Sequence, residues 1–226
     1  MHSKIITLGI LLASPVMLQS ATIVGNLGGL MNPTGSATNG DNTRQFSWVV
    51  NGTDAAAGAQ VTVNYTLDVS EATPDLASAF PQDAIFRYSN GKNVPSTASL
   101  TITIDSISIN SGWTLDAVSM TDTVTVASLE GGKTARFSVN GGATFDYLGT
   151  GSAGTVSGQS VTNSEFQNFN SVGDSIFFQN VNQTTNGGMN LKNLSMTFEV
   201  IPEPSSALLL GLGLGWLTLF RRRHSR

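Results

Sequence analysis

From residue 22 to residue 200 apolar and polar side chains alternate repeatedly, and the three-to-four spacing of an amphipathic helix is nearly missing. A strand turns successive side chains to opposite faces, so a period of two buries one face and solvates the other. Residues 61–69 alternate without a break. In residues 99–109, Leu100, Ile102 and Ile104 share one parity, while Ile107 and Ile109 share the other. The phase switches at Asp105-Ser106, which predicts a β-bulge or a bend between sheets. The side chains in these runs are Val, Ile, Thr, Ser and Phe, which suit a pleated, half-buried surface.

The same pattern predicts strands at 22–27, 45–50, 84–88, 113–120, 123–129, 135–139, 144–148, 154–161, 175–181 and 191–200. Between them stand Asn51-Gly52, Asn90-Gly91, Ser111-Gly112, Gly131-Gly132, Asn140-Gly141-Gly142 and Asn186-Gly187-Gly188. Asn-Gly and Gly-Gly supply the positive φ that tight turns require. Short strands at this spacing predict an all-β fold, an antiparallel β-sandwich of jelly-roll type. Residues 74–80, after Thr73, are the one helical candidate of the body, and residues 28–43 read as a long polar loop.

The two ends read differently. In residues 1–20, His2 and Lys4 precede an apolar stretch at 5–13, Pro15 breaks it, and small residues follow at Ser20 and Ala21. That order of parts is a secretory signal peptide, in helical form, with cleavage expected after Ser20. The site is imperfect, because cutting there leaves Leu18 at the third position back. The other end runs Pro202-Glu203-Pro204-Ser205-Ser206, then an uncharged apolar run over 207–220, then Arg221-Arg222-Arg223-His224-Ser225-Arg226. Each proline fixes φ and pushes the preceding residue out of the helical region, so 201–203 is expected as an extended, accessible peptide. A transmembrane helix is expected over 205–220, short of the roughly 20 residues that span a bilayer comfortably. The arginines act as a stop-transfer anchor and stay in the cytoplasm, which puts everything before Pro202 outside.

This tail resembles the C-terminal sorting signal of the PEP-CTERM proteins of Gram-negative bacteria. The residues that match are Pro202, Glu203 and Pro204, the apolar helix and the Arg221–Arg223 cluster, about a ninth of the chain. The resemblance implies processing near the motif by an exosortase, a membrane-embedded cysteine protease or transpeptidase, and an association with extracellular polysaccharide and biofilm. It also implies export through the inner membrane by the Sec translocon, transient anchoring there, and a final place at the cell surface, in the outer envelope or outside the cell. An ordinary single-pass anchor would share the helix and the arginines. The coincidence of all three parts in order favours the sorting signal.

The expected organisation is thus a signal peptide at 1–20, one β domain at 21–200 and the sorting signal at 201–226. The domain holds no cysteine, so no disulfide supports it, and both histidines, His2 and His224, lie in the terminal segments. Without His or Cys there is no Ser-His-Asp triad, no Cys-His pair and no His-ligated zinc. Five of the eleven basic residues and one of the fifteen acids lie in the ends, so the body carries about −8 against −4 for the chain. A sparse acidic surface of this kind excludes nucleic acid as a partner.

Four motifs inside the body each have a chemical reading and a plainer one. Gly149-Thr150-Gly151-Ser152-Ala153-Gly154 matches G-x-G-x-x-G, but strand or loop follows where a dinucleotide site needs a helix. Ser89-Asn90-Gly91-Lys92 matches S-x-x-K, but Asn-Gly makes a turn where the catalytic motif needs a helical turn. Asp105 and Asp116 flank an expected hairpin at 110–112, with Asp122 nearby. Facing each other they would suit glycoside hydrolysis, or a calcium ion with loop carbonyls; as edge carboxylates they would do neither. Trp48 and Trp113 are candidate sugar-stacking platforms, although their strand-like context favours core packing. In the tail, Gly211 and Gly215 form a small-xxx-small pair suited to close helix packing.

The reading that follows is an exported, non-enzymatic surface or matrix protein that needs no cofactor. A carbohydrate-binding module that attaches the surface to polysaccharide is the first alternative. A carboxylate-dependent, glycan-active enzyme is the second.

Overall fold

The computed structural model describes residues 19–26, 32–33, 43–69, 99–153, 155–181 and 191–204. The helices expected at the two ends and at 74–80, the strand expected at 84–88 and the Ser89–Lys92 motif lie outside the described residues. What is described is all-β: three antiparallel sheets.

The strands, in chain order, are β1 (Ala21–Asn26), β2 (Asn32–Pro33), β3 (Thr43–Asn51), β4 (Gln60–Val69), β5 (Ser99–Ile109), β6 (Trp113–Met120) and β7 (Thr123–Glu130). They continue as β8 (Thr134–Val139), β9 (Phe145–Leu148), β10 (Val156–Thr162), β11 (Ser175–Val181), β12 (Leu191–Lys192) and β13 (Ser195–Pro202). Short 3-10 turns stand at Asp54–Ala56 and Ser164–Asn168. A seven-stranded sheet has the order β2-β3-β4-β5-β11-β8-β9, and three-stranded sheets have the orders β1-β13-β6 and β10-β7-β12.

Alternation builds the core. Val61, Val63, Tyr65 and Leu67 of β4 are buried, as are Leu100, Ile102 and Ile104 of β5 and Met196, Phe198 and Val200 of β13. All three sheets contribute to one hydrophobic cluster. Its packing between sheets is seen at Trp48, whose ring lies 5.9 Å from that of Phe198. Gly25 allows this approach, because a Cβ there would sit 2.5 Å from the indole. At about 25 cal/mol per Å² of apolar surface, each fully buried Leu, Ile or Phe contributes roughly 1.5–3 kcal/mol.

The phase switch in β5 is a bulge. Asn64 pairs with Ser106 and Tyr65 with Ile104, so Asp105 is the extra residue. Its carboxylate accepts a hydrogen bond of 2.6 Å from Thr66 Oγ1.

Two expectations need correction. The turn at 110–112 does not close a hairpin: β5 pairs with β4 and β11, whereas β6 pairs with β13. Gly112, at φ +88°, lets the chain leave one sheet for another, so Asp105 and Asp116 are not cross-strand neighbours. The strand expected over 191–200 is two strands in different sheets. Asn193, at φ +58°, turns the chain between them, and its amide donates to Thr125 Oγ1.

Candidate functional site

The site is the junction between the body and the tail motif. β13 is the centre of its sheet, with β1 on one side and β6 on the other. The β1 ladder ends where Ala21 meets Val200. The β6 ladder continues, with Ile201 opposite Thr114 and Pro202 opposite Trp113. One residue further, the Glu203 N–H donates to the Gly112 carbonyl at 2.9 Å. The Thr114 hydroxyl makes a longer contact, 3.4 Å, to Glu203 Oε1.

The proline fits this geometry. In an antiparallel ladder, residues alternate between those that bond to one neighbour and those that bond to the other. Glu203 bonds toward β6, so Ile201 does as well, and Pro202 directs its nitrogen to the side where β1 has ended. A missing N–H costs a strand nothing on an unpaired side. The same proline would give nothing to a backward extension of β1, whose residue 19 would stand opposite it.

The peptide at 201–203 is therefore extended, as its prolines require, but less accessible than expected. Ile201 and Pro202 are half-buried, while Glu203 and Pro204 are exposed. Pairing with β6 is the reason. The compact unit spans Ser20–Glu203, so the body runs past residue 200 and into the motif. At the same end, Ser20 is exposed and Ala21 is buried as the first residue of β1. Ala21 pairs with Val200, two residues before the motif begins. Arg221, Arg222 and Arg223, like Gly211 and Gly215, lie outside the described residues.

The sugar-stacking candidates part company. Trp48 has no exposed surface and lies in the core against Phe198, which withdraws both ring faces from any sugar. Trp113 is half-buried and packs on the edge of the core. The acids do not converge: among the described residues no three of Asp, Glu, His or Cys stand close enough to hold a metal ion. The Asp122 carboxylate accepts from Thr123 Oγ1 at 3.0 Å. An ion pair joins Arg136 to Asp146 at 2.7 Å, with both side chains well exposed. The Arg136 guanidinium holds the Asp146 carboxyl below its ordinary range by hydrogen bonding and charge.

The glycine-rich loop after β9 is a structural feature. The buried Gln159 accepts from Thr150 N–H at 2.6 Å and donates to the carbonyls of Leu129 and Thr150. Strand β10 follows the loop, and no helix N-terminus is there to receive a phosphate. The role of Gly112–Thr114 was missed by sequence reasoning. Ser111-Gly112 marks a turn, but nothing local marks what the turn holds.

Compared with known protein families, curated proteins and solved structures, the chain finds no match.

Proposed function

We propose that this chain is an exported, non-catalytic surface or matrix protein. Its body is an antiparallel β-sandwich of jelly-roll type, and its end is a sorting signal read by an exosortase-type membrane enzyme. One observation carries the reading: Pro202-Glu203-Pro204 stands at the very end of the last strand, with an apolar run and arginines directly after it. No spacer separates the folded unit from the motif. A membrane-embedded enzyme gripping the motif would hold the body just outside the bilayer, and the arginines would keep the helix from sliding through. Removing the tail would free the body, and the role proposed for it is structural or adhesive.

The test is a set of tail variants expressed in a host that processes the wild type. Replacing Pro202, Glu203 and Pro204 by alanine leaves the apolar run intact, so insertion is retained. The expected outcome is uncleaved precursor in the membrane fraction, read by intact mass. Replacing Arg221–Arg223 by serine should instead weaken retention and release precursor. Normal processing of the triple-alanine variant would reduce the tail to a plain anchor.

A further inference from the structure

We propose that Gly112–Thr114 is a clamp that competes with the processing enzyme for the tail motif, so that processing passes through an opened end of β13. The identity of the enzyme rests on the sorting reading above; the clamp rests on the ladder itself. An enzyme that reads an extended peptide does so through main-chain hydrogen bonds, with pockets for alternate side chains. Here the main chain of that peptide is already engaged. Glu203 donates to Gly112, and Ile201 lies in the bonded register opposite Thr114. Pro202, turned the other way, has only a carbonyl to offer. A second strand therefore cannot bind this segment well from the free side, and the side that could bind is occupied by β6.

Gripping the whole motif then requires Ile201–Glu203 to peel away from β6. Strand ends open locally without global unfolding, and the frequency of opening depends on the bonds and burial that hold them. Trp113 stands directly opposite Pro202 and packs on the core, so it resists peeling. Gly112 allows the turn that brings its carbonyl to Glu203, because φ +88° strains any residue with a Cβ. The chemical step is ordinary acyl transfer: the peptide C–N bond breaks, the acyl carbon forms a bond to water or to an acceptor nucleophile, and the proton lost by that nucleophile goes to the amine with which the tail leaves.

The chain has no cysteine, so a pair can be introduced as a reversible lock. Thr114→Cys with Ile201→Cys places two thiols at directly opposed positions and leaves Pro202-Glu203-Pro204 unchanged. In full-length precursor, hydrogen exchange of the Glu203 amide should be slowed at least about tenfold relative to a free peptide of the same sequence, as expected when opening breaks one or two hydrogen bonds. Oxidising the lock should slow processing by about tenfold or more, and reduction should restore it. Trp113→Ala should speed processing several-fold, with near-UV circular dichroism checking that the body remains folded. An unprotected Glu203 amide, or an oxidised lock that is processed as fast as the reduced one, overturns the clamp while leaving the sorting reading intact. A wild-type chain that is never processed removes the sorting reading, and the proposal with it.

Discussion

Two regions of the core are built from aromatic rings in different ways. Around β3 and β4, Phe46 stacks on Tyr65 at 5.5 Å, and Trp48 tilts against Phe198. Around β8, Phe137 lies 5.4 Å from Phe145, 5.3 Å from Phe166 and 5.1 Å from Phe178. The second cluster is hydrocarbon throughout, with one ring at its centre. The first buries two polar atoms, Trp48 Nε1 and Tyr65 Oη, that have no hydrogen-bond partner. Burying such an atom unpaired costs about 1–3 kcal/mol. The first region thus offsets part of its apolar burial with desolvation, and it tolerates no added bulk where Gly25 meets the indole. The difference teaches that equal burial does not mean equal stabilisation.

The largest test of this contrast is Phe137→Ala. One substitution removes the centre of a four-ring arrangement and leaves a cavity, so a loss of about 3–5 kcal/mol is expected. Urea unfolding monitored by tryptophan fluorescence measures it. A loss no larger than that of a peripheral phenylalanine would mean that the cluster has no centre.

Gly25→Ala comes next. The new Cβ would overlap the Trp48 ring and the Val50 side chain. Overpacking of this kind costs about 1–3 kcal/mol. Adding Trp48→Phe should recover much of the loss, because the overlapping edge is then gone. If the two substitutions are additive in a double-mutant cycle, the ring is not what Gly25 accommodates.

Tyr65→Phe should have the smallest effect and the opposite sign. Its hydroxyl is unpaired, so removal should be neutral or stabilise by up to about 1 kcal/mol at neutral pH. Burial pushes the Tyr65 phenol well above its ordinary value near 10. The folded state then keeps a proton that the unfolded state releases. This contribution is fully present below about pH 10 and declines above it, by up to about 1.4 kcal/mol per pH unit, until the folded state also ionises. The advantage of the variant should therefore grow between about pH 9 and about pH 11. Equal alkaline sensitivity of the two proteins would place the hydroxyl in contact with water and erase the contrast between the regions.

Much of this architecture is legible in the sequence because it is local. Alternation marks β4 and β5 within a residue at either end, and the parity break at Asp105 marks the bulge. Among the described residues, Gly131-Gly132 and Asn140-Gly141 mark turns, and proline geometry alone makes 201–203 extended. The absence of histidine and cysteine from the body is likewise a sequence fact, and it narrows the chemistry without reference to any fold.

The choice of strand partners was not legible. A period of two says which side chains share a face, but every strand carries the same row of N–H and C=O groups, and these do not name a neighbour. For this reason the turn at 110–112 read as a hairpin, although it carries the chain from the seven-stranded sheet to the sheet of β13. Asn193 read as strand interior for the same reason. The tail motif follows this rule. Its sequence determines that Pro202 and Glu203 are extended. Only the tertiary structure decides that they are held, because the threonine touching Glu203 lies 89 residues earlier in the chain, and a backbone ladder over that separation leaves no trace in either segment alone.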